Sequence, residues 1–322
     1  MDPPGHVRVR AVVAPAFTQR SMDRLRARTQ AILDPLVHRL VAAGPPADLV
    51  RDVTSPFPLT VVSELIGVPP ADRSQMRDWA QSLLTKASDD VAAKRARQVK
   101  EAADVYFCEL AAQRRAAPQD DLMSVMVAAL DKGLISQEEL LALTTLMQFN
   151  GWHAVCNNTS NMVYALLSQD RLMHRLRLQP GLVPKAVEEL LPWIPHKHGV
   201  GQPRIATEDV EVGGVMIRVG EFVYVSYVAA NWDPQVYPDP GRIDFERQGP
   251  PHLAFGHGPH YCVGPQLARM ESEVLLSTLI SRFAGATAGR SSGASAVADR
   301  RPDPGTRRSA CDLRYRPPRL RA

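Results

Sequence analysis

A mainly helical fold with a small β region is what this sequence predicts, and three observations predict it. From Asp2 to about Gln169, apolar residues recur at helical spacing in stretch after stretch, each closed by Pro, Gly or an acidic cluster. Beyond residue 191 the texture changes to short alternating segments flanking Gly213-Gly214, the signature of a hairpin. A Pro-rich run, NWDPQVYPDPGRIDF, follows and can form neither a helix nor an inner strand.

The elements follow in order. Asp2 before Pro3 and Pro4 reads as an N-cap with prolines in the first helical turn. Residues 19–43 keep Leu25, Ile32, Leu33, Leu36 and Leu40 on one face and stop at Gly44-Pro45-Pro46. Further helices are expected near 56–66, 71–86, 89–115 and 120–131. Ser136-Gln-Glu-Glu139 is a capping box that opens a helix running to about Gln169. The polar residues Asn150, His153, Asn157 and Asn158 halfway along it imply a buried site beside it. A helix near 184–191 precedes the hairpin Val210-Glu-Val, Gly-Gly, Val215-Met-Ile, and an amphipathic helix spans 265–284. Residues 285–322 lack apolar periodicity and are expected to be a disordered tail, leaving one domain over 1–284.

Composition excludes several classes. Of 322 residues, 45% are hydrophobic and 22% charged, as in ordinary globular proteins. No run approaches the roughly 20 apolar residues of a membrane helix, and MDPPGHVRVR does not read as a signal peptide. The net charge of +4 comes from the tail, where nine arginines face three aspartates; the remainder carries 29 basic and 31 acidic residues. No body helix shows the basic face of a nucleic-acid binder. Cys108, Cys156, Cys262 and Cys311 are scattered without a CxxC pair, which points to a reducing cytoplasm and no disulfide framework.

The chemistry concentrates in Phe255-Gly-His-Gly-Pro-His-Tyr-Cys-Val-Gly264. Glycines allow sharp turns and close approach to a flat group. A cysteine just ahead of a helix has unpaired N–H groups and the positive dipole end to favour its thiolate. The run resembles the haem loop of the cytochrome P450 family, Phe-Gly-x-Gly-x-(His/Arg)-x-Cys-x-Gly, with every fixed position filled. The resemblance implies the mostly helical P450 fold and haem b (iron protoporphyrin IX) with Cys262 as its iron ligand. It places His260 at a haem propionate and Phe255 beside the sulfur, with Gly256, Gly258 and Gly264 shaping the loop. A zinc site from His252, His257, His260 and Cys262 is the rival reading, but their spacing fits no common zinc module.

The same resemblance gives further residues. His6 and Arg10, four apart on one helix face, match the family's propionate-binding pair, and Arg204 in PRIATEDVEV matches another propionate arginine. In the long helix Gly151 corresponds to the glycine that lets oxygen and haem approach. His153 stands where the family has an acid, and Ala154 where it has the proton-delivering alcohol. His153 either joins a proton relay or simply packs. The second half is similar to actinobacterial biosynthetic members that hydroxylate or oxidatively couple aromatic, polyketide-type metabolites. That similarity implies electrons from a ferredoxin and an NAD(P)H-dependent ferredoxin reductase, a small aromatic substrate, and Trp152, Lys197 and Gln202 at the substrate.

Two departures stand out. The family's Glu-x-x-Arg falls at Glu189-Leu-Leu-Pro192, which leaves Glu189 to pair with Arg242 alone and ends the helix at Leu191. The resemblance begins inside the third helix or so and stops near residue 284, as a truncated open reading frame would. A haem-binding remnant without turnover is the alternative reading of the function.

Overall fold

The computed structural model describes residues 1–44, 47–84, 90–194 and 203–283, together with the backbone of 287–288 and 319–321. The expected disordered tail lies largely outside the described residues.

The first helix, α1 (Gly5–Val13), buries Val9 and Val13 and tightens into a 3-10 turn at Ala14–Phe17. Asp2 does not cap it. The helix starts without a side-chain cap, and only the Asp2 carbonyl serves it, accepting from the His6 N–H at 3.2 Å. The Asp2 carboxylate has a stronger partner in His260 (below), which corrects the N-cap expectation.

Thr18 caps α2 (Gln19–Ala43), whose buried stripe is Met22, Thr29, Leu33, Leu36, Val37 and Leu40. Pro35 removes one backbone donor inside α2, yet the helix continues because Leu33, Leu36 and Val37 around it are buried. A short strand, β1 (Ala47–Asp48), leads to α3 (Pro56–Ile66), which opens with Pro56 at a position where no donor is lost. Next come α4 (Arg73–Leu84), α5 (Asp90–Ala116) and α6 (Leu122–Asp131), the last capped by Asp121 accepting from Ser124 N–H.

The capping box is present at α7 (Gln137–Leu167): Ser136 Oγ accepts from Glu139 N–H at 3.1 Å, and Glu139 Oε2 accepts from Ser136 N–H at 2.9 Å. Glu139 has a second task. Arg8 of α1 donates to both of its oxygens, at 3.0 and 2.7 Å. Arg8 therefore turns away from His6 and Arg10 and pins α1 to the start of α7. These bonds, Arg8 first and Ser136 N–H second, hold the Glu139 carboxyl down at about 2 against an ordinary value of 4.5.

A carboxyl depressed in the folded state contributes stability that is complete above its unfolded value and lost as pH falls through the folded one. Stability is therefore expected to drop between about pH 4.5 and pH 2. Urea unfolding across that window should show a shallower drop in Glu139→Gln, and added salt should blunt the effect, since Arg8 is half exposed.

Helices α8 (Asp170–Leu178) and α9 (Val183–Trp193) follow. Pro192 does not stop α9 at Leu191; the helix runs to Trp193, and Ile194 N–H still reaches the Leu190 carbonyl at 3.1 Å. In the last turn a proline forfeits one bond, and the burial of Leu190 and Leu191 outweighs it.

The β region is small. Strand β2 (Arg204–Ile205) pairs antiparallel with β5 (Phe222–Val223), and β3 (Val210–Val212) with β4 (Val215–Ile217). Gly213 and Gly214 at φ +58° and +79° make the expected two-residue turn. Residues 287–288 (β6) and 319–321 (β7) pair as backbone, with β7 between β1 and β6. A short helix, α10 (Tyr227–Asn231), precedes the Pro-rich segment, and α11 (Pro265–Arg282) closes the core against α2, α7 and α9. One continuous apolar cluster runs from Val9 to Ile280.

Candidate functional site

The cysteine loop is built by three backbone bonds. Gly256 N–H reaches Leu253, Tyr261 N–H reaches Gly258, and Cys262 N–H reaches Phe255, each at 2.9 Å. Gly256 and Gly258 both sit at φ +76°, a conformation that other residues adopt only with strain, and a Cβ on Gly258 would meet nothing within 4 Å. Cys262 is half-buried, two residues ahead of Gly264, which stands at the N-cap of α11. The Phe255 ring lies under the Arg269 guanidinium, 4.7 Å from its centroid. Arg269 is held by two bonds to Glu188 of α9, at 2.5 and 3.0 Å. Loop, α9 and α11 are thereby locked together.

Cationic side chains converge on this loop. Arg10 Nη2 donates to the Cys262 carbonyl at 3.4 Å. The His6 and His260 rings stand 4.1 Å apart, and His260 Nε2 is 2.9 Å from Asp2 Oδ1. The Asp2 carboxyl is held below its ordinary value, first by the His260 hydrogen bond, and the charge of Arg204 reaches it as well. Burial first, then His260 and Arg10, push His6 downward. His6 and Arg10 of α1 and His260 of the loop thus come together, with Arg204 of β2 near enough for its charge to reach Asp2.

This donor set fits haem. His6 Nδ1 is buried without a hydrogen-bond partner, as a donor waiting for a carboxylate would be. The loop offers a thiol beside an open glycine surface, and the cations suit two carboxylates. Among the described residues, no three His, Cys, Asp or Glu side chains group as a metal site, so the four residues weighed for zinc do not form one. His252 Nδ1 accepts from Ala254 N–H at 3.1 Å, and its Nε2 faces Glu188 at 3.4 Å.

The long helix packs two of the expected residues against its neighbours. A Cβ on Gly151 would lie 2.9 Å from Val62 Cγ2, so this glycine allows the close packing of α7 on α3. Trp152 is 4% exposed and its Nε1–H donates to the Ser55 carbonyl at 2.9 Å. The residue four before it, Gln148, and the one four after, Cys156, share the same buried face. His153, Ala154, Asn157 and Asn158 are half-exposed on the opposite side, and Asn157 Nδ2 lies 3.2 Å from His153 Nε2. Cys156 is buried, and burial pushes its thiol up to about 11. Lys197 and Gln202 lie outside the described residues.

Glu189 does not pair with Arg242. Arg247 Nε donates to both Glu189 oxygens at 3.0 Å, and Asp244 N–H adds a bond at 2.9 Å. Arg242 is 60% exposed, 3.6 Å from Asp244. The segment turns after Asp239, at φ +48°, and brings Arg247 rather than Arg242 beneath α9. Arg247 also donates to the Pro238, Asp239 and Arg242 carbonyls, fastening the Pro-rich segment. A cavity of about 400 Å³ opens beside it, lined by Glu188, Pro192, Trp193, Trp232 and Tyr237. Glu188, Arg247 and Arg269 escaped the sequence reading because their partners are remote in the chain. Glu271 did too: it is fully buried in α11, and neither carboxylate oxygen has a hydrogen-bond partner among the described residues.

Comparison with known proteins agrees with this geometry. The family model described as Cytochrome P450 matches residues 181–292. Biflaviolin synthase of Streptomyces coelicolor is 46% identical over 284 residues, covering 88% of this chain and 69% of that protein. The LnmA cytochrome P450 hydroxylase of the leinamycin pathway of Streptomyces atroolivaceus superimposes with a TM-score of 0.83 at 40% identity, over 90% of this chain and 74% of that one. A cytochrome P450 described as having biaryl coupling reactivity gives a TM-score of 0.85 at 38% identity, over 90% and 73%. The fold and the cysteine loop are those of a haem-thiolate oxidoreductase. The chain belongs to the cytochrome P450 family, as a monooxygenase whose cofactor is haem b. Among the described residues, no helix is long and apolar enough to cross a membrane.

Proposed function

We propose that this P450 hydroxylates or oxidatively couples an aromatic, polyketide-type secondary metabolite, with Cys262 as the haem ligand. The observation that carries the site is the convergence of His6, Arg10, Arg204 and His260 on the Cys262 loop. Biflaviolin synthase and the biaryl-coupling structure among the relatives support the aromatic substrate class.

Haem held by a thiolate supplies oxygen activation. The chain's own residues do the rest. Gly256, Gly258 and Gly264 give the loop its shape, Phe255 anchors it through Arg269, and the cations hold the carboxylates. Ala154 cannot pass a proton, so His153, leaning on Asn157, is the titratable group placed to move one on that stretch of α7. Lys197 and Gln202 are assigned to the substrate side. Electrons come from a ferredoxin and an NAD(P)H-dependent reductase. The scattered cysteines, without a CxxC pair, favour a reducing compartment such as the cytoplasm.

Turnover of hemin-loaded protein with a surrogate ferredoxin system and flaviolin as probe is the test. Mass spectrometry should show coupled dimers or an added oxygen; a folded, haem-loaded protein that leaves flaviolin and related phenols unchanged would overturn the substrate class.

A further inference from the structure

Asp2 brings a carboxylate to the place where His6, Arg10 and His260 gather beside the cysteine loop. Its Oδ1 takes the Nε2 hydrogen of His260 at 2.9 Å, and the charges of Arg204 and the N-terminal ammonium bear on it. It is 77% exposed, so water replaces its partner at little cost when it leaves. Haem would bring two more carboxylates to the same donors. His260 Nε2 has one hydrogen to give. A propionate that claims it must displace Asp2, and a propionate that settles nearby meets a like charge.

Resting on the haem reading above, we infer that Asp2 is an internal stand-in for a haem propionate, competing for His260 and lowering the affinity of the chain for haem. Asp2 does not cap α1, so its side chain is not needed to start that helix. Its place beside His260 therefore carries the competition without a structural duty.

The test is hemin titration of the haem-free chain, followed by the Soret band, for the parent, Asp2→Asn and Asp2→Ala. Both variants should bind hemin about five-fold more tightly, the scale of one exposed charge-assisted bond. Hemin dimethyl ester, whose carboxylates are capped, should bind parent and variants equally. Equal or weaker hemin binding by the variants, with parent-like circular dichroism, overturns the competition while leaving the haem site in place. An equal gain with the ester overturns it too, because the effect would not pass through a propionate. A parent that takes up no hemin overturns both readings together.

Discussion

Cys262→Ala, loaded with hemin and reduced under carbon monoxide, is expected to show no red-shifted Soret band, while Cys156→Ala keeps the parental one. The red shift requires thiolate on iron, and Cys156 and Cys262 differ in just the property that matters. Cys156 lies on the face of α7 that packs against α3, and burial raises its thiol to about 11, so it stays protonated. Cys262 lies two residues ahead of the N-cap of α11, on a loop where Gly258 borders open space. Loss of the band in the Cys156 variant, or its survival in Cys262→Ala, would place the ligand elsewhere. The cationic cluster is untouched by either change, so hemin uptake by Cys262→Ala should weaken without vanishing.

The second large effect belongs to Arg247. Arg247→Met is expected to cost about 3–5 kcal/mol, because removing one partner leaves Glu189 as a buried carboxylate without its cation. Burial already pushes the Glu189 carboxyl upward, against the pull of Asp244 N–H and Arg247. Arg247 also donates to three carbonyls of the Pro-rich segment, so its loss frees that segment from α9. Arg242→Ala should stay within about 0.5 kcal/mol, as expected for an exposed ion pair. Urea midpoints for the two variants decide between them; a costly Arg242→Ala alongside a neutral Arg247→Met would reverse the assignment of the pair.

Periodicity and capping made most of the helical frame legible. The 31-residue α7 announces itself through Ser136 and Glu139, and the hairpin through Gly213-Gly214. The cysteine loop was legible because Gly256 and Gly258 occupy positive-φ positions that favour glycine, at fixed spacing from Cys262. What failed was partner choice across long sequence distance. Glu189 reaches a residue 58 positions away, inside a segment with no repeating pattern to show which arginine turns inward. The polar residues of α7 drew attention to one face, while the buried face of Gln148, Trp152 and Cys156, where Gln148 reaches Ser63 of α3, carries no such signal. Asp2 was misread for a simpler reason: a local capping signal lost to a histidine 258 residues on.

The bond pair from Arg8 to Glu139 has a mechanical meaning. One guanidinium fixes the helix bearing His6 and Arg10 at a set distance from the first turn of the helix bearing His153 and Ala154. A single ion pair thus ties α1 to the start of α7, and a proton added to that one carboxyl removes it.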